Sequence, residues 1–89
     1  MITEKDKKTI HAISGKYHVK RVILFGSNIR GGGKTRDIDI GIEGISPADF
    51  FRYYGELICA LSKPVDVVDL SGTSKFVELV REEGVPIYG

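Results

Sequence analysis

With 89 residues, 42% of them hydrophobic and 28% charged, the chain has the composition of one small globular domain, and it buries only about 60–65% of the surface its unfolded form exposes. Thirteen basic against 12 acidic residues leave a net charge of +1, too little for bulk electrostatic binding of nucleic acid, and no apolar run reaches the ~20 residues of a membrane span. The lone Cys59 cannot form an internal disulfide and no signal peptide opens the chain, so the expectation is a cytoplasmic single domain over residues 1–89.

Thr3-Glu4-Lys5-Asp6 reads as a helix start, with Thr3 as cap and acids in the first turn; Ile10 and Ile13 give a thin apolar stripe and Gly15 a stop. Lys5, Lys7 and Lys8 form its solvated face. Val19 to Phe25 is rich in β-branched and large apolar residues and predicts a strand ended by the Gly26-Ser27 turn. After a glycine-rich, basic loop, Asp37 to Glu43 predicts a second strand.

In that second strand Asp37 and Asp39 stand at i and i+2, so their side chains leave the same face with Cα atoms roughly 7 Å apart, while Ile38 and Ile40 face a core. Two acids on one face make a platform for a hard divalent cation such as Mg²⁺, which takes carboxylate and phosphate oxygens and rarely a full protein cage. Gly26 lets the backbone approach a ligand, and Ser27 adds a hydroxyl and an amide, the parts of an anion-binding nest for a triphosphate. Arg30, Lys34 and Arg36 are cations close enough in sequence to hold that triphosphate or the leaving pyrophosphate. Two rival readings of the loop fail. Gly33-Lys34-Thr35 resembles the end of a Walker A loop, but Asn28 stands where glycine is needed and a strand follows; Gly31-x-Gly33 lacks the third glycine and the helix of a dinucleotide fingerprint. Ser27 has no base beside it in sequence and reads as a phosphate donor, not a nucleophile.

Ser46-Pro47-Ala48-Asp49 starts a second helix, on which Phe50, Tyr54, Leu57, Ile58 and Leu61 share one face, with Phe51 and Tyr53 at its edges. That face suits a helix lying across a sheet, with a partner surface or a homodimer contact as the alternative. Cys59 falls on the opposite side and has no cationic cluster to activate it. Pro64 ends the helix, and Val65 to Leu70 predicts a third strand whose Asp66 and Asp69 have opposite parity, so only one can face the acids of the second. A last helix with Phe76, Val77, Leu79 and Val80 inward and Gly84 as its stop leads to a short terminal strand around Ile87. His11 and His18 have no ligand-spaced neighbours.

Gly26-Ser27, nine further residues and then Asp37-x-Asp39 resemble the signature of the nucleotidyltransferases of the DNA polymerase beta superfamily, and most closely its minimal branch of small single domains paired with HEPN-domain proteins. The likeness extends from Val19 through Pro64–Leu70 to Gly84–Tyr88. Arg36 stands where many members have serine, and the Ser27-to-Asp37 spacing is one residue shorter than the commonest form. The resemblance implies an α/β (α+β) fold, a small mixed sheet in which the carboxylate strands are neighbours, with helices packed on it. It selects Asp66 as the third carboxylate, so that Asp37, Asp39 and Asp66 are the catalytic and metal-holding set for two Mg²⁺ ions, and Gly26, Ser27 and Arg30 grip the nucleotide. The implied activity is Mg²⁺-dependent transfer of a nucleoside monophosphate, AMP from ATP, to an acceptor hydroxyl. Members of this kind act as antitoxins that modify a tyrosine of a HEPN-type toxin; 89 residues leave no room for a second domain to present an acceptor. The alternative is a non-catalytic module with the same fold that blocks its partner sterically.

Overall fold

The computed structural model describes residues 2–26 and 37–89. Among the described residues, three capped helices and four strands follow in the order α1 (Glu4–Lys16), β1 (Arg21–Leu24), β2 (Ile38–Glu43), α2 (Pro47–Ala60), β3 (Val65–Asp69), α3 (Lys75–Glu83) and β4 (Val85–Tyr88). Each helix starts where a hydroxyl can take an orphan amide: Thr3 accepts from the Asp6 N–H at 3.1 Å, Ser46 from that of Asp49 at 3.2 Å and Ser74 from that of Val77 at 3.1 Å. Pro47 sits at the start of α2 as expected, where it sacrifices no intrahelical bond. Gly15 does not end α1. The helix runs through Lys16, and the chain turns at Tyr17 and His18, the latter at φ 56°.

The sheet has the order β3-β2-β1-β4, with β1 antiparallel to both β2 and β4 and β2 parallel to β3. This is the expected α+β arrangement with a mixed sheet and neighbouring carboxylate strands. The β1–β2 ladder continues past the strand ends, since the Lys20 N–H donates to the Glu43 carbonyl and the Phe25 N–H to that of Asp39. One face of the sheet carries Val22, Leu24, Ile38, Ile40, Ile42, Val65 and Val67, all buried against α1 and α2; the other carries Ile23 and Leu70 against α3. Among the described residues no helix is long and apolar enough to cross a membrane.

The helices differ from the expected faces. Tyr53, expected at an edge of the α2 stripe, is fully buried, whereas Ile58 is 59% exposed and Phe51 78% exposed. The reason is α1: the Tyr53 hydroxyl shares a 2.8 Å hydrogen bond with Ser14 Oγ, and Tyr17 meets its ring edge to face at 5.8 Å, so α2 is rolled toward that helix. Burial pushes the Tyr53 phenol up to about 12. Glu56 continues the seam, accepting from Lys16 Nζ at 2.9 Å and from the Tyr17 hydroxyl. In α3 only Val77 and Val80 turn inward; Phe76 and Leu79 stay about half exposed, because nine residues packed by one i, i+3 stripe cover only part of that sheet face.

Two polar side chains tie the periphery, the first buried and the second exposed. Asp6 is 1% exposed at the start of α1, yet its carboxylate accepts from the Ser62 N–H at 3.1 Å and from Ser62 Oγ at 2.5 Å. Burial is the largest influence and pushes the Asp6 carboxyl up, but the two Ser62 bonds, the Thr3 hydroxyl and the Lys63 charge together hold the carboxyl below its ordinary value. His11 is exposed, its Nε2 against the Ile87 carbonyl of β4.

Candidate functional site

On the α3 face, toward the end of the sheet where β1 finishes and β2 begins, strand parity gathers the acids. β2 alternates buried Ile38, Ile40 and Ile42 with Asp39, Gly41 and Glu43, so the pattern that fills the core on one side turns Asp39 out on the other. The parallel register places Asp66 directly beside Asp39, with Cα atoms about 4.8 Å apart. Asp69 pairs with Ile42 instead, and its Oδ1 accepts from the Ser71 N–H at 2.9 Å, a turn-closing role at the end of β3. Asp37 is exposed, one residue before β2.

Asp39 is half-buried, and every influence on it pushes its carboxyl above the ordinary value: burial most, then the charges of Asp66 and Asp37, then a hydrogen bond that protonated Asp39 donates to Asp66. No described cation offsets them. An acid pair so crowded fits a divalent ion, which would replace the shared proton and relieve both charges. The structure brings together Asp39 and Asp66 and leaves Asp37 within electrostatic reach. Among the described residues, however, no group of three or more His, Cys, Asp or Glu side chains is arranged to hold a metal. Adjacent carboxylates of this kind suit an ion completed by ligand oxygens, the ordinary situation for Mg²⁺ at phosphates.

Gly26 faces this pair. Its φ is +72°, and a Cβ there would lie 2.7 Å from Asp39 Oδ2. Glycine is thus required twice, for the left-handed turn and for the carboxylate that occupies the space of a side chain. The Ser27 and Arg30 expected to grip a nucleotide, with Lys34 and Arg36, lie outside the described residues.

Sequence reasoning did not connect Phe25 and Phe76 with the acid face. Phe25 follows β1 with the parity of Ile23, hence on the Asp39 side of the sheet, and meets Phe76 of α3 edge to face at 5.8 Å between centroids. Its position immediately before Gly26 was the available signal.

Comparison with known proteins bears on the family and the fold. A family model described as a nucleotidyltransferase domain matches residues 6–85. Among curated proteins there is no match. Among solved structures, a toxin-antitoxin crystal structure with AMP-PNP superposes with TM-score 0.74 at 24% identity, over 93% of this chain and 73% of that one. A minimal nucleotidyltransferase superposes at 0.71 and 27% identity, over 90% and 87%. The complex of a tri-AMPylated Shewanella oneidensis HEPN toxin with its MNT antitoxin does so at 0.70 and 23% identity, over 94% and 70%. The match of that family model over all but the ends of the chain, on a fold that minimal nucleotidyltransferases share, shows that this protein belongs to the nucleotidyltransferase domain family.

Proposed function

We propose that this protein transfers AMP from ATP to a hydroxyl, a tyrosine, of a HEPN-type toxin partner, and so acts as its antitoxin. The observation that carries the reading is the in-register Asp39–Asp66 pair beside Gly26, an arrangement that raises the Asp39 carboxyl and wants a cation. Its substrate and partner are suggested by the neighbours: one toxin-antitoxin structure contains AMP-PNP, and in another the HEPN toxin is AMPylated beside its antitoxin.

Asp37 and Asp39, with Asp66, would hold two Mg²⁺ ions. When bound, Mg²⁺ supplies charge neutralisation at the phosphates and a more acidic acceptor hydroxyl. Gly26 and Ser27 bind the β- and γ-phosphates through backbone and hydroxyl donors, and Arg30 balances the leaving charge. Asp66, the more exposed of the paired carboxylates, orients the acceptor O–H and takes its proton. The acceptor oxygen then bonds to the α-phosphorus in line as the bond to the bridging oxygen breaks, and pyrophosphate departs. Positioning and charge do the work, as expected for phosphoryl chemistry with little covalent role for protein groups.

The test is to incubate the protein with Mg·ATP and the product of its neighbouring gene, and to look by mass spectrometry for added AMP on a tyrosine. An Asp37→Asn/Asp39→Asn double variant should leave the partner unmodified. The second reading is a steric antitoxin without catalysis; tight binding of a partner that stays unmodified with every NTP would establish it.

A further inference from the structure

We infer that Phe76, braced by Phe25, is the surface on which the base of the donor nucleotide stacks, so that this protein selects its nucleotide by aromatic area. The inference rests on the nucleotide-donor reading of the acid site and deepens it. Phe25 lies on the strand next to Asp39, its N–H bonded to the Asp39 carbonyl at 3.0 Å, and its ring is on the Asp39 face of the sheet. From the acids, one strand spacing (~4.8 Å) leads to Phe25, and a 5.8 Å ring contact leads on to Phe76. A nucleoside bridges a span of that order when its phosphates are at the acids. Phe76 is 49% exposed in the first turn of α3, although Val77 and Val80 already seat that helix. An exposed aromatic ring that the core does not need, held edge to face at 83° by a second ring, is a stacking platform waiting for a flat partner.

A phenylalanine ring offers no hydrogen-bonding group to read a base edge, and every base has a π-face. Selection through it therefore follows ring area: purine triphosphates bind better than pyrimidine ones, and ATP and GTP bind alike through this contact. The triphosphate end is gripped elsewhere, so loss of the ring affects nucleosides and spares polyphosphate.

The experiment compares the whole protein with Phe76→Ala, Phe76→Tyr and Leu79→Ala variants by calorimetry, using Mg·ATP, Mg·CTP and Mg·tripolyphosphate as probes. Leu79 is a half-exposed apolar residue one turn along α3 and serves as the control. Phe76→Ala is expected to weaken Mg·ATP on the order of tenfold, to narrow the ATP-over-CTP preference and to leave Mg·tripolyphosphate unchanged; Phe76→Tyr restores ATP binding and Leu79→Ala alters nothing. Equal ATP affinity in wild type and Phe76→Ala overturns the base platform alone, and a coincident loss of partner binding would make Phe76 part of a protein interface. Equal losses for ATP and tripolyphosphate overturn it too, because Phe76 would then be seating α3. Wild-type protein that binds neither probe overturns the donor reading itself.

Discussion

Gly26→Ala isolates what the turn beside the acids contributes. Two costs can be worked from the structure. A residue with a Cβ at φ +72° carries a strain of about 1–2 kcal/mol, which in a domain of this size lowers Tm by about 5–15 °C. The new Cβ would also lie 2.7 Å from Asp39 Oδ2, about 0.7 Å short of the 3.4 Å at which ordinary contact begins, so the carboxylate must retreat. Misplacing a reacting group by ~1 Å can cost ~100-fold in rate, so AMP transfer per folded molecule should fall on the order of 10- to 100-fold. The matched control is Gly44→Ala. Gly44 has φ +81° and a Cβ there would meet Lys20 Cβ at 2.5 Å, but it lies past the opposite end of β2, beyond Glu43. It should lose comparable or greater stability and keep its turnover per folded molecule. Thermal melts and a transfer assay corrected for folded fraction read both. If Gly26→Ala transfers AMP at the wild-type rate, or Gly44→Ala loses as much rate as Gly26→Ala, the steric link between Gly26 and Asp39 is refuted.

Because the folded protein holds Asp39 above its unfolded value, the native state binds the proton more tightly, and a stability penalty appears as pH rises from about the ordinary value of 3.8 through the raised one. In metal-free buffer Asp39→Asn should therefore raise Tm at pH 7 but not at pH 3, while weakening Mg·ATP; an equal Tm change at both pH values would contradict this. Asp6 has the opposite sign: its lowered carboxyl contributes stability that is present above pH 3.8 and is lost as pH falls through the folded value. Asp6→Ala should cost about 2–3 kcal/mol by urea denaturation at pH 7, as Ser62 loses two charge-assisted bonds, and clearly less in strong acid. Asp66→Asn should abolish single-turnover transfer with little loss of nucleotide affinity, whereas Asp69→Ala, which removes only the bond to the Ser71 N–H, should cost about 1 kcal/mol and keep turnover; the reverse pattern would assign the third carboxylate to Asp69.

Much of this was legible because strand parity is a hard rule. The alternation Ile38-Asp39-Ile40 predicts a core face and an acid face without reference to any other element, and Pro47 and Ser46 announce α2 by local chemistry alone. What periodicity could not supply were the long-range partners. Tyr53 looked marginal on the helical wheel because its reason for burial, the Ser14 hydroxyl, lies 39 residues away. Asp6 looked like a first-turn acid of the usual exposed kind, and nothing near it in sequence foretells Ser62. Phe76 and Leu79 were read as inward because the amount of sheet left for α3 to cover depends on the whole topology. At the site, residue types and spacing suggested Asp37 and Asp39 and the family resemblance favoured Asp66 over Asp69, while the register of β3 against β2, which no local pattern supplies, sets Asp66 beside Asp39.

That register also links stability to the site in a way that no single contact shows. Ile38 and Ile40 pair with Val65 and Val67 on β3, and all four are buried on the face away from the acids. A one-residue slip of β3 would turn Val65 and Val67 out and bring Asp66 into the apolar layer, a cost that fixes the pairing far more firmly than the acids themselves, which repel. Ile40 also aligns β2 with β1, where Leu24 opposes it and so brings Gly26 near Asp39. An acid pair that disfavours its own geometry is thus held together by apolar burial on the other side of the sheet. A substitution such as Ile40→Thr, which no ligand could touch, should consequently loosen the spacing of Asp39 and Asp66 and lower catalytic efficiency along with stability. Trimming Leu79 on the exposed side of α3 should change neither, since that side chain takes no part in setting the register.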